Sequence, residues 1–294
     1  MSVGLSQQQE VVVQAQQVLS THAKSFRLAS VFLPQESAND AAVVYSFCRL
    51  VDDAVDEAPS LAIAHEEAKA IRAELSGTRP AREEVGAFLD VAQRCEIPLY
   101  VAHDLLDGVC SDLGKVMVQT DQELARYCYR VAGTVGLMMS KIMKVKDKEA
   151  LKGAIDLGIA MQLTNIARDV CEDKARNRQY VKHDFSSIRA IISESHTFYE
   201  KSFTSISSIP VKSRFSVIVA RRVYRKIGDY ILKQNNIDNY NKAGKIYVPV
   251  FEKVIQTFLS IIDFIKLLFI KNLNYDNQLN HNILEQEINL NERI

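Results

Sequence analysis

Three oxygen-bearing side chains recur every fourth residue in QLTNIARDVCED, residues 162 to 173: Asn165, Asp169 and Asp173. On a helix this spacing stacks them on one face. A second set stands upstream in YSFCRLVDDAVDEAP, residues 45 to 59, where Asp52 and Asp56 are again four apart, with Asp53 and Glu57 beside them. Arginine accompanies both: Arg49 three residues before Asp52, Arg168 next to Asp169, and Arg176 and Arg178 just beyond. Both clusters fall at or near the C-terminal end of an apolar helix, where the helix dipole disfavours negative charge. A bound cation would offset that cost. The donors are hard oxygens and no histidine accompanies them, so the expected metal is Mg²⁺ or Mn²⁺ rather than Zn²⁺, on Asp52, Asp56, Asn165, Asp169 and Asp173. Carboxylate, metal and arginine together make a diphosphate clamp. One acidic cluster on a helix is most often a solvated face. Two of matching spacing, each with its own arginine and each on an apolar helix, point to a shared metal site.

The elements that must position these residues read as helices throughout. The prolines lie at 34, 59, 80, 98, 210 and 249, and none falls between 98 and 210, so that stretch can carry long uninterrupted helices. A 3.6-residue apolar period runs through LARYCYRVAGTVGLMMSKIM and ALKGAIDLGIAMQLTNIARDV. Alternating strand patterns with Asn-Gly or Asp-Gly turns are absent, and no repeat stands out. Composition shifts near residue 180, from Ala and Val to Ile, Ser, Lys and Asn, yet the helical pattern continues. The expectation is one all-α domain over residues 1 to 272 and a frayed polar tail over 273 to 294.

Composition narrows the function. The 294 residues are 47% hydrophobic, enough for a large core, and the formal net charge is zero, which argues against a nucleic-acid binder working by bulk electrostatics. The five cysteines form no CxxC pair and lie in apolar helical patterns, as expected of reduced core thiols in a cytosolic protein. No signal peptide is visible at the N-terminus. The segment FLSIIDFIKLLFI, residues 258 to 270, is short of the roughly 20 residues a span needs and is interrupted by Asp263 and Lys266. It is expected to be a buried or interfacial helix, giving at most peripheral contact with a membrane. The oligomeric state is left open.

HAKSF, YSFCRLVDDAVDE, YCYRVAGTVG and QLTNIARDVCEDKARNRQYV resemble, in order and spacing, the squalene/phytoene synthase family. The resemblance covers about residues 8 to 181 and continues more weakly through ARRVYRKIGDYI to about 255. It implies an all-α isoprenoid-synthase fold around a central apolar cavity, in which two prenyl diphosphates are joined head to head with the help of Mg²⁺ through a cyclopropylcarbinyl diphosphate. Carried over by motif, Asp52 and Asp56 match the first metal motif, and Asn165, Asp169 and Asp173 the second. His22, Ser25, Tyr45, Arg49, Gln162, Arg168 and Tyr224 match substrate- or diphosphate-contacting positions, and Tyr129 a catalytic cavity tyrosine. Lys245 stands where relatives often have Arg, which loses a bidentate contact.

One departure from the family pattern follows Val181, where Lys182 replaces the expected proline and the chain runs directly into the next helix, so a cavity-lining segment is expected to be shortened. Phe26 and Ser30, one turn apart, should share a face. A large aromatic at 30 would shorten the cavity; serine leaves it long. This favours the C20 substrate, geranylgeranyl diphosphate, and phytoene, a carotenoid precursor, as product. The alternatives are presqualene diphosphate, squalene or C30 dehydrosqualene from farnesyl diphosphate, with NADPH needed only for squalene. A class I terpene cyclase, and a helical scaffold derived from the same fold, are further readings; the intact aspartate pairs favour the enzyme.

Overall fold

The computed structural model describes residues 2–270, 284, 285, 288 and 290–294. The chain runs through α1 (Ser2–His22), α2 (Lys24–Ser30), α3 (Gln35–Asp56), α4 (Leu61–Leu75), α5 (Glu83–Arg94), α6 (Leu99–Cys110), β1 (Val116–Met117) and α7 (Asp121–Cys128). A π-helical turn (Tyr129–Gly133) leads into α8 (Thr134–Ile142), α9 (Lys148–Ala175), β2 (Arg178–Gln179) and α10 (Phe185–Lys201). A 3₁₀ turn (Thr204–Ser208) precedes α11 (Val211–Leu232), α12 (Ile237–Ala243), α13 (Val250–Leu268) and a last turn, α14 (Leu290–Arg293).

Local chemistry sets these boundaries. Pro34, Pro98, Pro210 and Pro249 are the N-cap residues of α3, α6, α11 and α13, where a missing N–H costs nothing. Ser60, Thr120, Asp147, Asp184 and Asn236 cap α4, α7, α9, α10 and α12, each side chain accepting from the backbone N–H three residues on. At α7 the cap is reciprocal, because Glu123 accepts from the backbone N–H of Gln119 at 2.7 Å.

The core forms around α9, whose 28 residues run unbroken as the proline-free stretch suggested. A Cβ at Gly158 would come within 2.3 Å of the Ala132 carbonyl oxygen, and one at Gly136 within 2.2 Å of that of Ala154. Glycine at these two positions lets the π-helical turn and α8 lie backbone to backbone on α9. Opposite, α10 runs back along α9, with the Ser195 hydroxyl donating to the Ala160 carbonyl at 2.9 Å. On the far side Phe47 of α3 stacks on Phe88 of α5 at 4.0 Å.

One feature differs from the sequence reading. A parallel pair of two-residue strands, Val116 opposite Arg178 and Met117 opposite Gln179, ties the α6–α7 link to the segment after α9. Residues 271–283, 286, 287 and 289, most of the expected polar tail, lie outside the described residues. Of the others, Leu284, Ile288 and Leu290 are buried, and Arg293 donates to Asp104 at 3.0 Å.

Helix α13 turns polar residues inward beside Phe264 and Leu267 and leaves much of its apolar surface outward. Gln256, Ser260 and Asp263 face the protein, where Arg222 donates to Gln256 at 3.0 Å and to Asp263 at 2.5 Å. Val250, Phe251, Phe258, Ile262, Ile265 and Phe269 face outward. No helix among the described residues is long and apolar enough to cross a membrane.

Candidate active site

A cavity of about 340 Å³ runs between α2, α3, α8, α9 and α11, with the 3₁₀ turn joining its wall. At one end its lining is polar: Tyr45 and Asp52 from α3, Gln162 and Asn165 from α9, and Tyr224 from α11. Away from that end it is largely apolar, with Val44, Val131, Val135, Leu157 and Met161 among the wall residues and serines between them.

The polar end is where the last turns of α3 and α9 meet. Asp56 accepts from Arg176 at 2.6 Å and from Arg178 at 2.7 Å, so cations following the second cluster hold a carboxylate of the first. The β1–β2 pair fixes Arg178 in place for this. Asp169 takes a two-pronged contact from Arg168, at 2.8 and 2.6 Å, and lies 3.4 Å from Lys245, which also pairs with Glu172 at 2.6 Å. Arg168 is set by Tyr240 of α12, whose hydroxyl donates to the carbonyls of Ala167 and Arg168. Arg49 pairs at 2.5 Å with Asp53 rather than with Asp52.

Asp52 and Asp173 have no hydrogen-bond or ion-pair partner among the described residues. Burial, and then the neighbouring charge of Asp56, push the Asp52 carboxyl up to about 7. Burial followed by Asp169 does the same to Asp173, also to about 7. Asn165 donates to Gln162 at 3.3 Å, while its Oδ1 is sealed from solvent without a partner. Two uncompensated carboxylates and an orphaned amide oxygen are a hard-oxygen donor set that fits Mg²⁺ or Mn²⁺. No three acidic, histidine or cysteine side chains among the described residues converge on one point. An ion here would therefore complete its shell with water and ligand oxygens, as Mg²⁺ sites on phosphate substrates commonly do.

Sequence reasoning missed a neighbouring group. Asp112, between α6 and α7, is buried and accepts from the Tyr127 hydroxyl at 2.8 Å and the Tyr180 hydroxyl at 2.5 Å. The two rings stack at 4.5 Å. Burial raises the Asp112 carboxyl above the ordinary range, and its charge is felt at both Asp52 and Asp173. A lone aspartate in a link carries no sequence signal. Tyr127 stands four residues before Val131 and eight before Val135, both on the cavity wall, a phase that the fold reveals.

That register corrects the assignment of Tyr129. Its side chain points away from the cavity, fully buried, and its hydroxyl donates at 3.1 Å to Asp104, the carboxylate that Arg293 also holds. Tyr129 is thus a structural residue of the core, two positions out of phase with the cavity face. Phe26 and Ser30 do share the cavity wall, and Phe26 packs on the Tyr224 ring at 4.9 Å. His22 is exposed at the end of α1, and neither it nor Ser25 is on the wall. The region after Val181 still lines the cavity, through Ser202, Ser205, Ile206 and Ile209.

A family model described as squalene/phytoene synthase matches residues 19–185, a stretch that holds both aspartate clusters. The chain is 32% identical to a 15-cis-phytoene synthase of Enterobacter agglomerans over 70% of its length and 81% of the relative's. It is 42% identical to a phytoene synthase of Thermus thermophilus over 57% of each chain. Among solved structures, a dehydrosqualene synthase crystallised with a ligand superposes with a TM-score of 0.76 at 26% identity, covering 89% of this chain and 98% of that one. On this evidence the chain belongs to the squalene/phytoene synthase family.

Proposed function

We propose that the protein condenses two molecules of geranylgeranyl diphosphate head to head to phytoene. The observation that carries this reading is one largely apolar cavity whose polar end, at Asp52 and Asn165, adjoins the ion-paired carboxylates, arginines and Lys245 where α3 and α9 finish. When bound by Asp52, Asn165 and Asp173, with Asp56 and Asp169 beside them, Mg²⁺ would neutralise charge on the diphosphate oxygens.

The chain's own residues do the rest. Arg168, Arg176, Arg178 and Lys245 bring positive charge to the leaving diphosphate, which departs with the C1–O bonding pair. The resulting allyl cation is attacked by the double bond of the second substrate. Loss of a proton closes that adduct to the cyclopropylcarbinyl diphosphate, which loses its own diphosphate, rearranges, and gives up a second proton. Val44, Val131, Val135, Leu157 and Met161 keep water from these cations. Tyr45, its hydroxyl pushed up to about 12 chiefly by burial, stays protonated throughout and is available as a donor.

Helix α9 supplies a length scale. Asn165 and Ala150 both line the cavity, and the step of fifteen residues from one to the other rises about 22 Å. Advancing about 1.3 Å per chain carbon, for C–C bonds of about 1.5 Å, a C20 tail needs about 20 Å and a C15 tail about 14 Å. The cavity suits the longer. The second reading, a C30 dehydrosqualene-type product from farnesyl diphosphate, draws on the likeness to the solved dehydrosqualene synthase. NADPH belongs only to a squalene-forming reaction and has no part in either.

The outward apolar face of α13 supports a peripheral seat on a lipid surface, into which a hydrocarbon product would leave. The protein is then expected to sediment in part with liposomes and to be released by carbonate; resistance to carbonate would show a different attachment.

The test of the reaction is incubation of purified protein with Mg²⁺ and C15 or C20 diphosphate, with and without NADPH, and identification of the lipid. A C40 triene-core hydrocarbon formed without NADPH is expected. A C30 product alone would overturn the C20 assignment, and no condensation product from either substrate would overturn the reaction. Ser30→Phe should lower the ratio of C40 to C30 product, because an aromatic ring there fills the cavity that Ser30 leaves open.

A further inference from the structure

The end of the cavity remote from the aspartates is built by the turn between α8 and α9. Met143 and Val145, 5% and 4% exposed, both line it, flanking Lys144. Lys144 adopts a φ of 60°, a left-handed conformation that reverses the chain at once, and the turn is closed by Lys144 N–H to the Lys141 carbonyl and Val145 N–H to that of Ser140. Both side chains that flank the strained residue therefore point inward, across the end of the cavity.

The other walls offer little to stop a chain there. On α9 the residues facing this end are Ala150, Gly153 and Ala154. Ser30 is small, and its hydroxyl is turned back on its own helix, donating to the Arg27 carbonyl at 2.9 Å. Ser205, from the 3₁₀ turn, is 3% exposed, and its hydroxyl lies sealed in the wall without a partner, so this wall is closed against solvent too. Met143 is the longest side chain at this end. It sits where α8 stops, one turn beyond Met139, which lies along the side of the cavity.

We propose that Met143 sets the upper limit of prenyl-chain length: it closes the tail cavity at a C20 chain, and shortening it admits C25. The assignment rests on the prenyl-diphosphate reading above and names the residue that makes that reading specific. Val145 is short and stiff at χ1, whereas methionine is unbranched and fills an irregular gap. A further isoprene unit finds no room against a close-packed end and must displace this side chain.

The experiment offers C15, C20 and C25 diphosphates in competition, with Mg²⁺, and reads kcat/KM for each. Binding of the non-ionising thiolodiphosphate analogues of the same three lengths is measured in parallel. Met143→Ala is expected to raise the C25:C20 ratio at least tenfold, and Met143→Phe to lower the C20:C15 ratio at least tenfold, as a methylene or more in an apolar pocket commonly does. If the alanine variant fails to fold, Met143→Val is expected to shift the ratio the same way to a smaller extent. Unmoved ratios in these variants, with an active wild type, overturn the assignment of Met143 and leave the reaction standing. A wild type that neither turns over nor binds any of the three chains overturns both.

Discussion

The carboxylates closing α3 and those closing α9 follow one plan with different partners. Each cluster has one aspartate left bare and pushed up to about 7, Asp52 and Asp173, chiefly by burial. Each has one held by cations, Asp56 and Asp169. The cations on Asp169 come from its own helix and from Lys245, just before α13. Those on Asp56 come from across the site, out of the segment that follows α9. The first cluster is thus completed by the second, and the asymmetry shows that the two sets of carboxylates form a single charged end rather than two surface patches.

The largest effect expected from breaking that arrangement is on turnover. Asp52→Asn and Asp169→Asn, one from each cluster, should each lose at least 10²-fold in kcat/KM, the scale of removing one electrostatic catalytic group. Near-normal turnover in either would contradict the shared site, as would full activity in excess EDTA. Removing the cross-site cation should cost less. Arg178→Met leaves Arg176 on Asp56 and is expected to lose about tenfold, mainly in KM, since the proposed diphosphate site has four cations.

Acid sharpens the comparison of bare and held carboxylates. Asp52 and Asp173 hold their protons more tightly in the folded chain, near 7, than at the ordinary 3.8. Their contribution to stability is full below pH 4 and is lost as the pH rises through 7. The metal-free protein should therefore melt at a higher temperature at pH 5.5 than at pH 8, other groups being matched by an Asp52→Asn, Asp173→Asn control that lacks the difference. If Asp52 and Asp173 hold the metal as proposed, Mg²⁺ with diphosphate should stabilise most at pH 8, where both carboxyls are ionised. A melting temperature rising steadily to pH 8 without metal, with no difference from the control, would count against bare carboxylates. The smallest effect concerns the two tyrosines of YCY. Tyr129→Phe removes the hydroxyl that Asp104 accepts from and should cost roughly 1 to 3 kcal/mol of stability with kcat unchanged. Tyr127→Phe should instead move kcat/KM, because its hydroxyl bonds Asp112, whose charge is felt at Asp52 and Asp173, the proposed metal ligands.

How much of this was legible in the sequence follows from what each feature depends on. The helices and the two clusters could be read because they rest on spacing within one element: Asn165, Asp169 and Asp173 share a face whatever packs around them. Asp112 and the cross-site hold on Asp56 could not, since both depend on where a link returns in space and on a two-residue strand pair with no pattern of its own. Tyr129 was assigned from the motif alone; spacing does not separate it from Tyr127, and it takes the fold to put Tyr129 on Asp104 and Val131 on the cavity wall. The inward polar face of α13 shows the opposite limit. Its apolar run was plain, but that Gln256 and Asp263 turn inward to Arg222 depends on a partner helix far away in the chain.

The central claim, that the ends of α3 and α9 act as one metal–diphosphate site, is tested most directly by a double-mutant cycle on kcat/KM with Mg²⁺, comparing wild type, Asp52→Asn, Asp173→Asn and the double variant. A shared site predicts strong coupling, the double variant losing little more than the worse single one. Losses that multiply, each substitution acting as if the other cluster were absent, would contradict it.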